Sequence, residues 1–147
     1  LEWFLQDRRE DVEHNIRPAL ARGQIVVLDR YYFSTVAYQG ALHLDPEKIR
    51  ARNTAFAPPP DLLLLLHLPA AQGWQRARQR GRLSHFEHLD YLERVATIFA
   101  AMDFPYLRRI DATATLLTVQ EHIWQAVAAL LARTAHTDSP GAREDTA

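Results

Sequence analysis

The stretch QIVVLDRYYFSTVAYQGA, from Gln24 to Ala41, decides the fold class of this chain. It opens with a short and wholly apolar run, Ile25 to Leu28, which predicts a strand buried on both faces of a parallel sheet. Asp29 and Arg30 follow at once. Because ligands bind beyond the carboxyl ends of the strands in an open α/β sheet, we interpret this charged pair as placed for a ligand.

The side chains after the charged pair combine aromatic rings, hydroxyl groups and one amide: Tyr31, Tyr32, Phe33, Ser34, Thr35, Tyr38 and Gln39. This mixture suits the binding of a base, a sugar and a phosphate. Arg30 carries a rigid fork of donors that matches two phosphate oxygens at once, so one hypothesis is that it grips a phosphoryl group. The alternative is a structural ion pair between Arg30 and Asp29 at the end of the strand.

The segment Leu1 to Arg22 predicts a helix, because apolar residues recur every four positions along it. The row consists of Phe4, Val12, Ile16 and Leu20, with Leu1 and Leu5 beside it. Arg8 lies on the same row, and a charge on an apolar row is an informative exception. Either Arg8 extends along the edge of the stripe and pairs with a neighbouring acid such as Asp7, Asp11 or Glu13, or it binds a ligand.

The rest of the chain alternates between helix and strand patterns. Pro18 should kink the first helix, since its ring clashes with the carbonyl of His14. Helices are expected after the Asp45-Pro46 cap, over Ala70–Arg80, over Phe86–Met102 and from a Thr118–Glu121 capping box, with strands at Leu62–Leu66 and Tyr106–Asp111. His67 follows the leucine strand, and we assign it no role.

The composition excludes several classes of protein. The chain has 147 residues, of which 48% are apolar and 24% charged, as in ordinary globular domains. A net charge of -1 gives no general attraction to nucleic acid or to an anionic membrane. The absence of cysteine excludes disulfides and thiolate metal sites and fits a reducing compartment, so the cytoplasm is expected. No metal ligands stand out, and no run is long enough to span a bilayer.

Taken in order, these motifs resemble the thymidylate kinase family. The string DRYYFSTVAYQG looks like the family's signature, and FLQDRREDVEHNIRPALARG, PPPDLLLLLHLP, RARQRGR and HFE follow the family's order and approximate spacing, from Leu1 to about Arg133. The resemblance implies transfer of the γ-phosphoryl group of ATP to dTMP, giving dTDP, with Mg²⁺ and in a homodimer. It also implies a P-loop NTPase fold of the nucleoside monophosphate kinase type, three layers built around a parallel sheet.

The same resemblance assigns roles to residues of this chain. Phe4 would stack on the thymine, and Arg8 would donate to a carbonyl of the base. Arg30 would hold the transferring phosphoryl group or the phosphate of dTMP, and Asp29 would hold Arg30 in place or accept a bond from a Mg²⁺-bound water. The expected substrate site is completed by Ser34, Thr35, Tyr38 and Gln39.

Four arginines, Arg76, Arg78, Arg80 and Arg82, crowd the end of the helix that begins at Ala70 and the loop beyond it. Such a cluster is usually a solvated face or a weak anion patch. In the resembled family this loop is the lid over ATP, so Arg76, Arg80 and Arg82 are expected at its phosphates, Arg82 with a catalytic role. The lid often reads Asp-Arg-Phe-Glu where this chain has Ser84-His85-Phe86-Glu87. Either Arg82 or Arg80 therefore replaces the arginine expected at His85, or turnover is reduced.

The chain starts at Leu1 and contains no GxxxxGK[ST] loop, the backbone cradle for ATP phosphates in such kinases. We therefore expect residues 1–134 to form the C-terminal part of a kinase-like domain, with three strands but without the first strand and the P-loop. A disordered tail is expected over 135–147. Activity would reside in the full-length parent, and the fragment alone would be inactive. Two alternatives stay open: a deoxynucleoside kinase, and a catalytically inactive module for nucleotide binding or dimerisation.

Overall fold

A computed structural model gives the structure of residues 1–79 and 89–137, in which helices and strands alternate. The elements are α1 (Glu2–Asp11), a π-helical segment (Val12–Ile16), α2 (Arg17–Ala21), α3 (Tyr32–Gly40), α4 (Pro46–Thr54), β1 (Leu63–His67), α5 (Ala70–Gln79), α6 (Leu89–Ala101), β2 (Leu107–Asp111) and α7 (Leu116–Thr137). The chain divides into two compact units. The first comprises Leu1–Pro59 with Pro69–Asp103, and the second Pro60–Leu68 with Phe104–Ala147.

The first helical run changes its hydrogen-bonding pattern midway. Its Val12–Ile16 segment is a π-helix, and the backbone N–H of Arg17 donates to the carbonyl of Val12, five residues earlier. Pro18 follows directly, and it cannot donate and crowds the carbonyl one turn before it. A π-helical turn thus lies directly before Pro18, and the kink expected at this proline stays a prediction. Gly23 ends the run with a positive φ of 70°, as a helix-terminating glycine should.

The strand expected over Ile25 to Leu28 is not formed, and the prediction of three strands is wrong for the described residues, which contain two. The segment pairs with no strand there, and Ile25 and Val27 are 74% and 87% exposed. The physical reason is that a strand exists only in a ladder of backbone hydrogen bonds. An apolar run specifies burial, but it does not by itself provide the neighbouring strand.

The core of the first unit forms around α3. Tyr32 and Ala37 on this helix are 1% and 0% exposed, and α3 packs against both α4 and α6. Two hydrogen bonds tie α6 to the end of α3: the Tyr91 hydroxyl donates to the carbonyl of Tyr38 at 2.9 Å, and Arg94 Nε donates to the carbonyl of Ala41 at 3.1 Å. The residues between Tyr32 and Gly40 are therefore held in a rigid helix.

The helix predicted after Asp45 is confirmed. The Asp45 carboxylate accepts from the backbone N–H groups of Glu47 and Lys48, and Pro46 occupies the first helical position, where its missing N–H costs nothing. The helix from Ala70 is confirmed up to Gln79. The next one begins at Leu89 in the structure, and the expected start at Phe86 lies outside the described residues.

The second unit contains the two parallel strands. β1 and β2 pair in a register that joins Leu63 to Leu107 and His67 to Asp111. Both strands lie within one residue of their predicted bounds. β1 is a short apolar run, whereas β2 carries two exposed arginines between the buried Leu107 and Ile110. The carboxyl ends of both strands, with His67 and Asp111, lie at the same edge of this small sheet.

The cap of the last helix differs from the prediction. The helix begins at Leu116 and not after Thr118, and the N-cap bond runs from the backbone N–H of Thr118 to the hydroxyl of Thr115 at 3.2 Å. A threonine at either position fits the pattern of a helix N-cap. The two leucines after Thr115 belong to the helix, so α7 starts earlier than predicted. The helix continues to Thr137, so the first residues of the expected tail are helical, and 138–147 lie outside the described residues. Within the described ranges, none of the helices is both long and apolar enough for a bilayer crossing.

Candidate functional site

The guanidinium of Arg8 is bound on one side by two neutral oxygens. Its Nη1 donates to Asn53 Oδ1 at 2.8 Å, and its Nη2 donates to Thr35 Oγ1 at 3.2 Å. Burial lowers the pKa of Arg8 from its usual value, which is opposed by the nearby Tyr31 and by the carboxylates of Asp7 and Asp11. The group stays protonated, since arginine does so throughout the accessible pH range.

The alternative in which Arg8 pairs with an acid at the edge of the stripe is wrong. In the part of the chain that the structure describes, Arg8 makes no ion pair with Asp7, Asp11 or Glu13. Its partners come from α3 and α4, far away in sequence. Because both acceptors are neutral, they do not compensate the positive charge of Arg8. This charge therefore stays available to a ligand.

Asn53 is a site residue that the sequence analysis missed. It is 0% exposed and lies on α4 one turn after the buried Ile49, and Ala57, just beyond the helix, is buried four residues later. Its Nδ2 donates to the carbonyl of Ile49 at 2.8 Å, so both ends of the amide are satisfied. The signal was available: an amide on an otherwise apolar row is the same kind of exception as Arg8 on its own row.

Tyr31 closes another side of the Arg8 environment. Its ring lies beside the guanidinium, 5.7 Å from Arg8 Cζ to the ring centroid, and its hydroxyl donates to the carbonyl of Pro58 at 3.2 Å. Burial raises the pKa of Tyr31, although the Arg8 charge partly opposes the shift. The ring and the guanidinium thus hold each other in place in a partly desolvated environment.

Arg8 and Arg30 line the same cavity, which has a volume of about 610 Å³. The other lining residues are Asp7, Glu10, Asp11, His14, Asn15, Leu28 and Tyr31. Arg30 is exposed and adopts a positive φ of 71°, a strained conformation for a residue with a side chain. The cavity therefore offers two guanidinium groups and, on its α1 side, three carboxylates.

Asp29 and Arg30 do not form the ion pair that was one interpretation of the sequence. No such pair occurs among the described residues, and Arg30 Cζ instead lies 5.2 Å from the centroid of the Tyr38 ring. The guanidinium of Arg30 thus lies against α3 and not beside Asp29. Asp29 is exposed.

The remaining predicted substrate residues are distributed over α1 and α3. Ser34, Tyr38 and Gln39 lie on α3 and are partly exposed, whereas Thr35 is buried and engaged by Arg8. Phe4 lies one turn before Arg8 on α1 and is 54% exposed, and it is not among the residues that line the cavity. The structure thus brings Arg8, Thr35 and Arg30 close to one cavity and leaves the Phe4 ring outside it.

Two of the four arginines predicted around the lid lie within the described residues. Arg76 lies exposed on α5, and Arg78 lies over the Trp74 ring at 5.4 Å. Arg80, Arg82 and the segment Ser84–Glu87 lie outside the described residues. Their roles stay predictions.

In the second unit, Asp111 is held by its neighbour Thr113. The hydroxyl and the backbone N–H of Thr113 donate to Asp111 Oδ1 at 2.7 and 2.8 Å, and these two bonds lower the pKa of the carboxyl. His67 lies opposite in the strand register and is exposed. This is a strand-end turn that satisfies its own polar groups, and it gives His67 no chemical role.

Comparison with known proteins completes the description of the site. A family model described as "Thymidylate kinase" matches residues 1–123. The chain belongs to the thymidylate kinase family. The resemblance of the motifs is therefore confirmed, and with it the α/β fold class of this P-loop NTPase family, to which the parallel strands β1 and β2 conform.

Three curated relatives illustrate the match. The thymidylate kinase of Desulfotalea psychrophila is 50% identical over 133 residues, which cover 89% of this chain and 65% of the relative. That of Xanthomonas euvesicatoria is 51% identical over 143 residues, covering 94% and 63%. That of Xanthomonas campestris strain B100 is 52% identical over 130 residues, covering 88% and 57%. The chain thus spans less than two thirds of the length of these thymidylate kinases.

Proposed function

We propose that the protein carrying this sequence transfers the γ-phosphoryl group of ATP to dTMP, giving dTDP. The observation that carries the proposal is that Arg8 and Arg30 line one cavity in a chain of the thymidylate kinase family. A nucleoside monophosphate has a base with carbonyl acceptors and a phosphate, and it needs a donor at each end. The cavity offers one guanidinium for each.

The charges of the cavity favour one orientation of dTMP. The carboxylates of Asp7, Glu10 and Asp11 lie on its α1 side and repel a phosphate. We therefore place the phosphate at Arg30, whose fork matches two of its oxygens. The neutral base then meets Arg8, which donates to a base carbonyl, while Ser34, Tyr38 and Gln39 complete the site around base and sugar. Phe4 is proposed to stack on the base, which requires its ring to move from its exposed position outside the cavity lining.

The transfer itself asks for positive charge where negative charge develops, and one well-placed arginine contributes about 10³ to 10⁵ in rate in related phosphoryl transfer. Arg30 supplies such a charge to the acceptor side. Arg76, Arg80 and Arg82 are proposed to supply it to the ATP phosphates. Among residues 1–79 and 89–137 no cluster of His, Asp or Glu is arranged as a metal cage.

Mg²⁺ still fits this donor set, because in kinases it is held by phosphates, water and one or two carboxylates. Asp29 is the exposed carboxylate next to Arg30 that would hold it, directly or through water. When bound with ATP, the ion neutralises phosphate charge. Arg30 does not pair with the carboxylate of Asp29, because its guanidinium lies over the Tyr38 ring. The carboxylate therefore stays available to the ion.

Two further properties belong to the proposal. A homodimer is proposed with Trp3, which is 84% exposed on α1, at its interface, and light scattering of the full-length protein measures the assembly. The cytoplasm is the proposed compartment, and the complete lack of cysteine is compatible with its reducing conditions.

The test is a coupled ADP-release assay on the natural full-length protein with ATP, Mg²⁺ and either dTMP or thymidine. The proposal expects turnover with dTMP and none with thymidine, because Arg30 needs a phosphate to bind. Turnover with thymidine that dTMP inhibits would indicate a deoxynucleoside kinase. Binding of dTMP without turnover would indicate an inactive nucleotide-binding module.

A further inference from the structure

The amide of Asn53 is buried in one unambiguous orientation. Arg8 has no acceptor, so the oxygen of Asn53 must face it, and the nitrogen must face the carbonyl of Ile49. Both contacts measure 2.8 Å, and the residue is 0% exposed. One end of this amide is thus anchored to the backbone of α4, and the other end is anchored to the guanidinium.

The two contacts of Arg8 fix the plane of its guanidinium. Asn53 and Thr35 accept from its two terminal nitrogens, and they use two of the five N–H groups. The group also lines the cavity with Arg30, so its remaining donors are available to a ligand there. A planar fork discriminates between acceptors only when its plane is fixed.

We propose that Asn53 is a positioning residue that orients the Arg8 guanidinium for the base of dTMP without touching the nucleotide itself. The inference rests on the proposed function, since it names the residue that sets the geometry of the same site. The positioning itself comes from the acceptor that holds Arg8, and the donor bond to Ile49 contributes stability by tying the side chain to α4. Asparagine is the side chain of this length that carries both.

The first test measures steady-state kinetics of Asn53→Leu in the natural full-length protein. Leucine has nearly the same shape but neither hydrogen bond. We expect the KM for dTMP to rise roughly 10-fold or more, the loss typical of a hydrogen bond to a charged group, while the KM for ATP stays within about 2-fold. Equal rises in both KM values would overturn the proposal.

Two matched variants separate positioning from folding. Asn53→Asp keeps an acceptor for Arg8 and loses the donor to the Ile49 carbonyl, so it should lower Tm but leave the KM for dTMP close to that of the wild type. Ile49→Ala removes a side chain that is 2% exposed on the same helix without touching the Arg8 bond. It too should lower Tm and leave the KM unchanged. If Ile49→Ala raises the KM for dTMP as much as Asn53→Leu does, Asn53 has only a structural role.

A spectroscopic readout is independent of activity. With the plane fixed, the terminal guanidinium nitrogens of Arg8 should give separate, slowly exchanging ¹⁵N signals in the free protein. In Asn53→Leu these signals should broaden or merge, and in Asn53→Asp they should stay separate. Unchanged signals in Asn53→Leu would overturn the proposal even if KM changes.

The two failures can be told apart. If the wild type does not bind dTMP in calorimetry, the proposed function fails, and this inference fails with it. If the wild type binds dTMP and Asn53→Leu binds it equally well, the function stands and the positioning role alone is wrong.

Discussion

Arg30 lies over the ring of Tyr38, with 5.2 Å from the guanidinium carbon to the ring centroid, while its own backbone is held at a φ of 71°. A positive φ is costly for any residue with a side chain, by about 1–3 kcal/mol, and such strain is concentrated at functional sites. The chain thus accepts strain at the residue that we assign to phosphate, and the aromatic ring fixes the direction of the charge.

Because the backbone of Arg30 is strained, we expect one substitution there to lower activity without lowering stability. Arg30→Gly removes the guanidinium but relieves the positive φ, so we expect kcat with dTMP to fall by about 10³-fold while Tm stays unchanged or rises. Arg30→Ala should lose the same activity and gain no stability, since alanine keeps the strain. Kinetics and thermal melts of the full-length protein measure both quantities. A stabilised Arg30→Gly variant with normal kcat would contradict the assignment.

Arg8 should matter for one nucleotide and not for the other. Arg8→Ala removes the proposed donor to the base, and we expect dTMP binding to weaken by roughly 10- to 100-fold, with ATP binding nearly unchanged. The control is Arg9→Ala on the same helix, whose guanidinium lies over the Phe56 ring at 4.6 Å and away from the cavity lining. Calorimetric titration with each nucleotide measures the effect. Equal losses for dTMP and ATP would contradict the assignment.

Two helical glycines should respond oppositely to the same substitution. A Cβ at Gly40 would approach Ile98 Cδ1 to 2.9 Å and Pro46 Cγ to 3.0 Å, whereas a Cβ at Gly73 would meet nothing within 4 Å. We expect Gly40→Ala to destabilise the fold by about 1 kcal/mol, because the Pro46 ring has to shift while Ile98 Cδ1, at the end of a flexible side chain, can turn aside. Gly73→Ala should stabilise it by about 0.5–1 kcal/mol through backbone entropy. Urea melts of both variants test the pair, and a stabilised Gly40→Ala would contradict the packing described for α3.

The carboxyl of Asp111, at the turn after β2, should have a pKa below its ordinary value. Thr113 lowers the pKa of Asp111 below its ordinary value of 3.8, chiefly through the hydroxyl bond. A lowered pKa means that the contribution to stability is present above the unfolded-state pKa and is lost as the pH falls through the folded-state value. Thr113→Val should raise the pKa of Asp111, as followed by carboxyl ¹³C NMR titration. Thr97→Val should not change it, because the Thr97 hydroxyl donates to the carbonyl of Glu93 within α6.

The extended segment after α2 should make the 147-residue chain prone to association. Val27 is 87% exposed in a segment that forms no ladder with any described strand, and unpaired apolar backbone of this kind invites intermolecular pairing. Val27→Lys should therefore reduce light scattering of the isolated chain at a given concentration. Gln24→Lys adds the same charge without removing an apolar side chain, and it should have a smaller effect. Equal effects of both variants would contradict the role of the apolar side chain of Val27.

Local patterns predicted the elements whose determinants are local. The Asp45-Pro46 start of α4 depends on residues that are adjacent in sequence, and the leucine strand depends on its own composition. The segment from Ile25 to Leu28 shows the limit, because whether it becomes a strand depends on a neighbour that its own residues do not specify. The start of α7 was misplaced because Thr115 and Thr118 both have the chemistry of a cap.

The sequence likewise predicted only part of the candidate site. Arg8 was identified because it interrupts an apolar row, but its partner Asn53 lies 45 residues away and was not. Asn53 interrupts a row of its own, between Ile49 and Ala57. The two polar residues on separate apolar rows bind each other, and a search for such pairs would have found this contact.

The π-helical turn from Val12 to Ile16 bears on where the site points. A π turn holds one residue more than an α turn, and each residue advances an α-helix by about 100°. The extra residue rotates everything before it, including Arg8, about the helix axis relative to everything after it. The direction in which Arg8 points toward Asn53 therefore depends on a turn that contains neither of these residues.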